Sequence, residues 1–203
     1  MMEEYIRQDA AAGRFASWTH STVIDEYIQG PIIERDTFAK LHALADIPAR
    51  FPVGNAGLIH VYGYWLSAVH TPFGYKRDRW SQGHLAAALG QPRESFWLDY
   101  VDSVAPGSST PLQRVTDACL PLLQAPPAAG ARTADALVEG VFTRVVVTRP
   151  QNSPYSALVY GIDPGDGMRL VTTFPISEDP SALLSDFSAT PSLRWNAAVL
   201  DNR

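Results

Sequence analysis

Apolar positions recur at helical spacing through most of the first 125 residues, and after about residue 133 the period changes to short apolar-rich runs between turn residues. Residues 3–16 are polar with scattered apolar positions and predict an N-terminal helix or arm. Thr19 or Ser21 can cap a helix that carries Val23, Ile24, Tyr27 and Ile28 on one face, and Gly30-Pro31 stops it. Asp36 caps a second helix, with Phe38, Leu41 and Leu44 at helical spacing and Pro48 and Pro52 beyond its end. The turn cluster Gly54-Asn55-Ala56-Gly57 then leads into residues 58–69, where the density of Ile, Val, Tyr and Trp predicts a buried strand.

Thr71-Pro72-Phe73-Gly74 reads as a turn and residues 75–80 as a charged loop. Ser81 caps a helix through Leu89, closed by Gly90; another is expected over residues 92–104. Thr110-Pro111 is an N-cap and first-turn pair for a helix reaching Leu123. Residues 125–133, APPAAGART, look like a surface loop. Residues 140–149, 155–163 and 168–176 predict three strands, the last two joined by a hairpin turn at Asp163-Pro164-Gly165-Asp166-Gly167. A short helix over 180–187 and a final strand or docked tail over 194–200 complete the pattern.

Helices first and hairpin-linked strands later give an α+β class: a helical first half with one central strand, then an antiparallel sheet of three or more strands. A lone strand needs partners, so one shared core is expected. At 203 residues the chain fits a single domain over 1–203, with 1–16 as an appended helical arm.

Composition narrows the chemistry. The single cysteine, Cys119, excludes an intramolecular disulfide, and no Cys/His cluster has zinc spacing, so no metal is expected. The N-terminus lacks the basic and apolar regions of a signal peptide, and no apolar run is long enough to cross a bilayer; a cytoplasmic protein with no membrane partner is expected. A net charge of −5 gives no long-range attraction for nucleic acid. No cofactor motif is present and none is expected, although haem held by one histidine would leave no motif.

The segment HVYGYWLSAVHTPFGYKRDRW, from His60 to Trp80, concentrates the candidate chemistry. On a strand, His60, Tyr62, Tyr64 and Leu66 share one face, an imidazole and two phenols in a row. On a helix, His60 and Tyr64 would still share a face and Tyr62 would leave it. Gly63 marks a bulge or a close approach to the backbone. His60 and His70 are candidate acid/base residues, with Tyr62 beside them. Tyr64, Tyr75, Lys76, Arg77, Arg79 and Trp80 are candidate substrate contacts, the arginines as forks for carboxylate or phosphate. Arg144 is a further candidate anion fork on the sheet. The bland alternatives are a half-buried tyrosine surface, core histidines and a solvated loop of surface ion pairs.

Weaker signals are His84, in a first turn that can face a pocket, and Glu139, a candidate histidine partner at a strand start. Cys119 reads as a core thiol, and Asp163 and Asp166 as turn formers. Three functions fit these residues. The first is a cofactor-independent lyase, isomerase or hydrolase acting on a small anionic metabolite, aromatic ones included, by histidine acid/base chemistry. The others are a non-catalytic ligand-binding or assembly protein and a metal-independent ribonuclease or toxin-like module; a small-molecule ligand and a homo-oligomer are the candidate partners.

Overall fold

The N-terminal helix α1 (Met2–Ala11) buries Ile6 and Asp9 completely, so the segment expected as an arm is docked in the core. The structure, a computed structural model, describes residues 1–25, 27–51, 53–100, 109–125, 130–177 and 179–191. After a 3-10 turn at Arg14–Ser17, the helix expected beyond Thr19 is replaced by short strands. These are β1 (His20–Thr22), β2 (Ile24–Asp25) and β3 (Gly30–Pro31). Asp25 explains the change: its Oδ1 accepts from the backbone N–H groups of Tyr27 and Ile28, at 2.9 and 3.3 Å, which commits donors a helix would have used. Helix α2 (Arg35–Ala45) forms and buries Phe38 and Leu41, but Glu34 is at its N-cap and Asp36, expected there, lies in its first turn. It is followed by β4 (Val53–Asn55), which pairs with β1.

The expected strand at 58–69 is instead a helix, α3, continuous over residues 56–66. It is α-helical at Ala56–Leu58 and Tyr64–Leu66, with a π turn at Ile59–Gly63 between them. Asn55 caps it, Oδ1 accepting from Leu58 N at 3.2 Å. Residues 56–64 are buried without interruption, which removes the apolar/polar period that marks a surface helix. Local β-propensity was outweighed by a strong cap and by burial on every side. Gly63 answers to close approach: a Cβ there would lie 2.5 Å from Ile33 Cδ1.

The hairpin β5 (His70–Thr71) and β6 (Gly74–Tyr75) holds the expected turn. The loop expected over 75–80 contains a short helix, α4 (Asp78–Ser81), and the helix expected over 81–89 is the shorter α5 (His84–Ala88), with Gly83 instead of Ser81 at its N-cap. Gly83 divides them at φ 68°, where a Cβ would meet Arg93 O at 2.5 Å. In place of a helix over 92–104 there is a 3-10 turn at Arg93–Phe96 and non-helical chain to residue 100; 101–104 lie outside the described residues. Arg114 fastens this segment to α6 (Pro111–Gln124) through the carbonyls of Ser95, Trp97 and Ser109. Thr110 caps α6 as expected, Oγ1 accepting from Gln113 N at 3.1 Å.

Four strands follow. β7 (Ala131–Val138) was not expected and takes in the end of the assumed loop, of which 126–129 lie outside the described residues. β8 (Val141–Thr148), β9 (Ser156–Asp163) and β10 (Arg169–Ile176) match the expected strands, and the antiparallel sheet has the order β10-β9-β8-β7. A β-bulge between Leu170 and Thr172 interrupts the register of edge strand β10. Val146, Ala157, Val159 and Leu170 face α6 and the helical half, in one cluster with Ile6, Leu58 and Cys119. Val145, Val147, Leu158, Tyr160 and Ile162 face Leu184 and Phe187 of α7 (Pro180–Ala189). The fold is α+β. The expected tail element at 194–200 lies outside the described residues. Among the described residues no helix is long and apolar enough to cross a membrane.

Candidate functional site

A cavity of about 360 Å³ lies along edge strand β10, lined by residues of α3, α4, α5, α7, the β5–β6 hairpin and the loop after β2. His60 and Tyr64, one helical turn apart on α3, form its floor, their ring centroids 4.7 Å apart. The π turn carries His60, a local irregularity of a kind often found at functional sites.

Both nitrogens of His60 are engaged. Nδ1 donates to Ala56 O at 2.8 Å, and Nε2 accepts from the Thr172 hydroxyl at 2.6 Å. An acceptor-only carbonyl on Nδ1 fixes this tautomer. Burial pushes the imidazole down to about 3; the Ala56 hydrogen bond pulls the other way, and the charges of Lys76 and Arg79 add to the fall. His60 is therefore neutral at physiological pH and has no vacant proton site.

Lys76, just beyond β6, is buried and pairs with Asp25 Oδ2 at 2.9 Å, its ammonium 5.0 Å from the centre of the Tyr64 ring. Burial alone would raise the Asp25 carboxyl. The hydrogen bond and charge of Lys76, with the N–H groups of Tyr27 and Ile28, outweigh it and hold Asp25 below the usual carboxylate value. Arg79 of α4 differs in kind. It lines the cavity half-buried, its guanidinium 5.7 Å from the Phe174 ring centre, and among the described residues it forms no ion pair. Burial lowers its pKa, opposed by Tyr64, Asp25 and Tyr27, and a guanidinium stays charged regardless.

The rest of the wall is largely aromatic. Trp80 is buried beside it, Tyr27 and Phe73 meet edge-to-face at 4.8 Å at an exposed rim, and His84 stacks on Tyr155 at 4.5 Å. Among the described residues neither ring nitrogen of His84 is hydrogen-bonded. Partial burial and the charge of Arg93 lower its pKa, against Asp78.

The cavity thus gathers His60, Tyr64, Lys76, Arg79 and Trp80 from the sequence candidates. The others lie elsewhere. Tyr62 leaves the face, as a helix requires, and donates to Asp9 Oδ2 at 2.7 Å in the core. His70 is exposed, its ring edge-on to Tyr75 at 5.1 Å. Tyr75 lies under the guanidinium of Arg77, and Arg77 approaches Asp78 at 3.6 Å near solvent. Arg144 makes a bidentate pair with Asp135, both bonds 2.8 Å, and donates to Leu123 O. Glu139 sits exposed in the β7–β8 turn.

Sequence reasoning missed Asp25, Tyr27, Tyr155 and Thr172. The one usable signal was Thr172-Thr173, a polar pair inside the otherwise apolar run of β10. Among the described residues no three His, Cys, Asp or Glu side chains gather as metal ligands would. Compared with models of protein families, with curated proteins and with solved structures, the chain matches none.

Proposed function

We propose that the protein acts on a small anionic metabolite with an aromatic or apolar body, bound in the β10 cavity with its charge on Arg79. The observation that carries this reading is a half-buried guanidinium on the cavity wall without an ion pair among the described residues. A charge drawn partly out of water gains from an opposite partner, and an incoming carboxylate or phosphate supplies one in bidentate geometry. The aromatic walls suit the body of such a ligand. A ribonuclease is less well supported, because its cations should line a groove together, whereas Lys76 is buried and paired with Asp25 and Arg77 is turned to solvent beside Asp78.

The test is calorimetry with a panel of small aromatic carboxylates and phosphate monoesters. Binders should lose about tenfold or more in affinity in Arg79→Gln, corresponding to a charged hydrogen bond of roughly 1.5–3 kcal/mol. A panel bound equally well by both proteins would remove the reading.

A second, catalytic reading is favoured by His84. With His60 committed on both nitrogens, His84 is the cavity imidazole able to move a proton, and its lowered pKa leaves it a base at neutral pH. A lyase, isomerase or hydrolase would then use His84 opposite the anion held by Arg79. Binders incubated with the protein in D2O should show deuterium uptake or product by NMR, and both should vanish in His84→Gln. Binding without either change would leave a ligand-binding protein.

A further inference from the structure

The hydrogen-bonding state of Thr172 is dictated by His60. Because Ala56 O can only accept, the imidazole proton is on Nδ1, and Nε2 can only accept the Thr172 hydroxyl proton. A threonine hydroxyl has one proton and two lone pairs, so with the proton committed only acceptor capacity is left. Among the described residues nothing else hydrogen-bonds the Thr172 hydroxyl, which lines the cavity directly after the β-bulge. Bulges commonly re-aim a side chain out of its sheet register next to a site. The cationic groups on the same wall, Arg79 and Lys76, can only donate.

We infer that the cavity selects acids that also carry a hydroxyl or amino hydrogen-bond donor, which Thr172 receives as a fixed acceptor oriented by His60. This rests on the anion reading of Arg79. Thr172 is a specificity residue and His60 a positioning residue that acts through it. Burial keeps His60 unprotonated at neutral pH, so the polarity of Thr172 does not reverse there.

The experiment compares benzoate, the hydroxybenzoates, the aminobenzoates and the matching methoxybenzoates by calorimetry. Methoxy groups have similar bulk and no donor. At least one hydroxy- or aminobenzoate should bind about tenfold more tightly than both benzoate and its methoxy analogue, the worth of one buried hydrogen bond. The gain should disappear in Thr172→Val and persist in Thr172→Ser. Equal binding of the hydroxy and methoxy compounds, with affinity still lost in Arg79→Gln, overturns the acceptor role and leaves the anion reading intact. No binding, or binding indifferent to Arg79, overturns both. Should Thr172→Val fail to fold, the wild-type comparison still decides. So does the nitrogen NMR spectrum of His60, in which a protonated Nε2 would also overturn the inference.

Discussion

Tyr62 donates its phenol proton to Asp9 Oδ2 at 2.7 Å, while Thr110 and Arg14 occupy Oδ1 at 2.5 and 2.8 Å. Asp9 is fully buried, so these donors are what makes its carboxylate tolerable in the core. Burial, with the Asp9 charge next, raises the Tyr62 phenol well above its ordinary value, so it stays a donor. Tyr62→Phe keeps the ring and removes the donor, and should cost roughly 1.5–3 kcal/mol in urea unfolding. Ligand affinity in the cavity should be unchanged, because Tyr62 faces away from it; a large change in affinity with no loss of stability would contradict this placement. Residue by residue, the sequence could not separate Arg77 from Arg79. Both belong to one KRDR run, and the difference is made by Asp78 and Phe174, the second nearly a hundred residues distant. Cys119 was legible: burial drives its thiol up to about 12, as suits an inert core group.

At the scale of elements, the β7–β8 hairpin turns on Glu139 and Gly140, both at positive φ, 53° and 82°. Two central residues with positive φ are what a type I′ turn requires, and glycine accepts this while glutamate is strained. Glu139→Asn should stabilise the protein by roughly 0.5–1 kcal/mol, read as a higher urea midpoint at constant m-value; no gain would mean the turn relaxes elsewhere. Three of the four long strands of the second half were readable, because β8, β9 and β10 are apolar runs bounded by Gly and Pro turns. Helix α3 was not, because a run buried on every side shows neither the helical nor the strand period. Its length was the better guide, twelve apolar-rich residues being more usual for a helix. The wrong element still yielded part of the site, since residues four apart share a helix face and residues two apart do not. That is why His60 and Tyr64 meet at the cavity and Tyr62 does not.

Taken whole, the molecule places its cavity where the helical half meets the edge strand β10 of the sheet, so the site draws on residues from Asp25 to Leu183. No local motif could announce a site assembled over that span. The same burial that builds it makes folding depend on pH. His60 is held at about 3 by burial, and burial also lowers His42, whose Nδ1 donates to Phe38 O at 2.9 Å and whose Nε2 has no partner among the described residues. An unfolded histidine takes its proton near 6.5. Between that pH and the folded value the unfolded chain binds more protons, so stability is present above about 6.5 and is lost as pH falls. The slope is at most about 1.4 kcal/mol per pH unit for each such histidine, and Asp25, held low by Lys76, adds loss of the same sign below its unfolded value of 3.8. Urea unfolding at pH 7, 6, 5 and 4 should therefore show progressive destabilisation. In His60→Gln, stability at pH 7 should be lower because the fit to Ala56 and Thr172 is disturbed, but its decline between pH 6 and 4 should be shallower. An unchanged slope in that variant would mean that folded His60 takes up its proton over the same range as an unfolded histidine, so that burial is not what holds the imidazole neutral in the weakly acidic range.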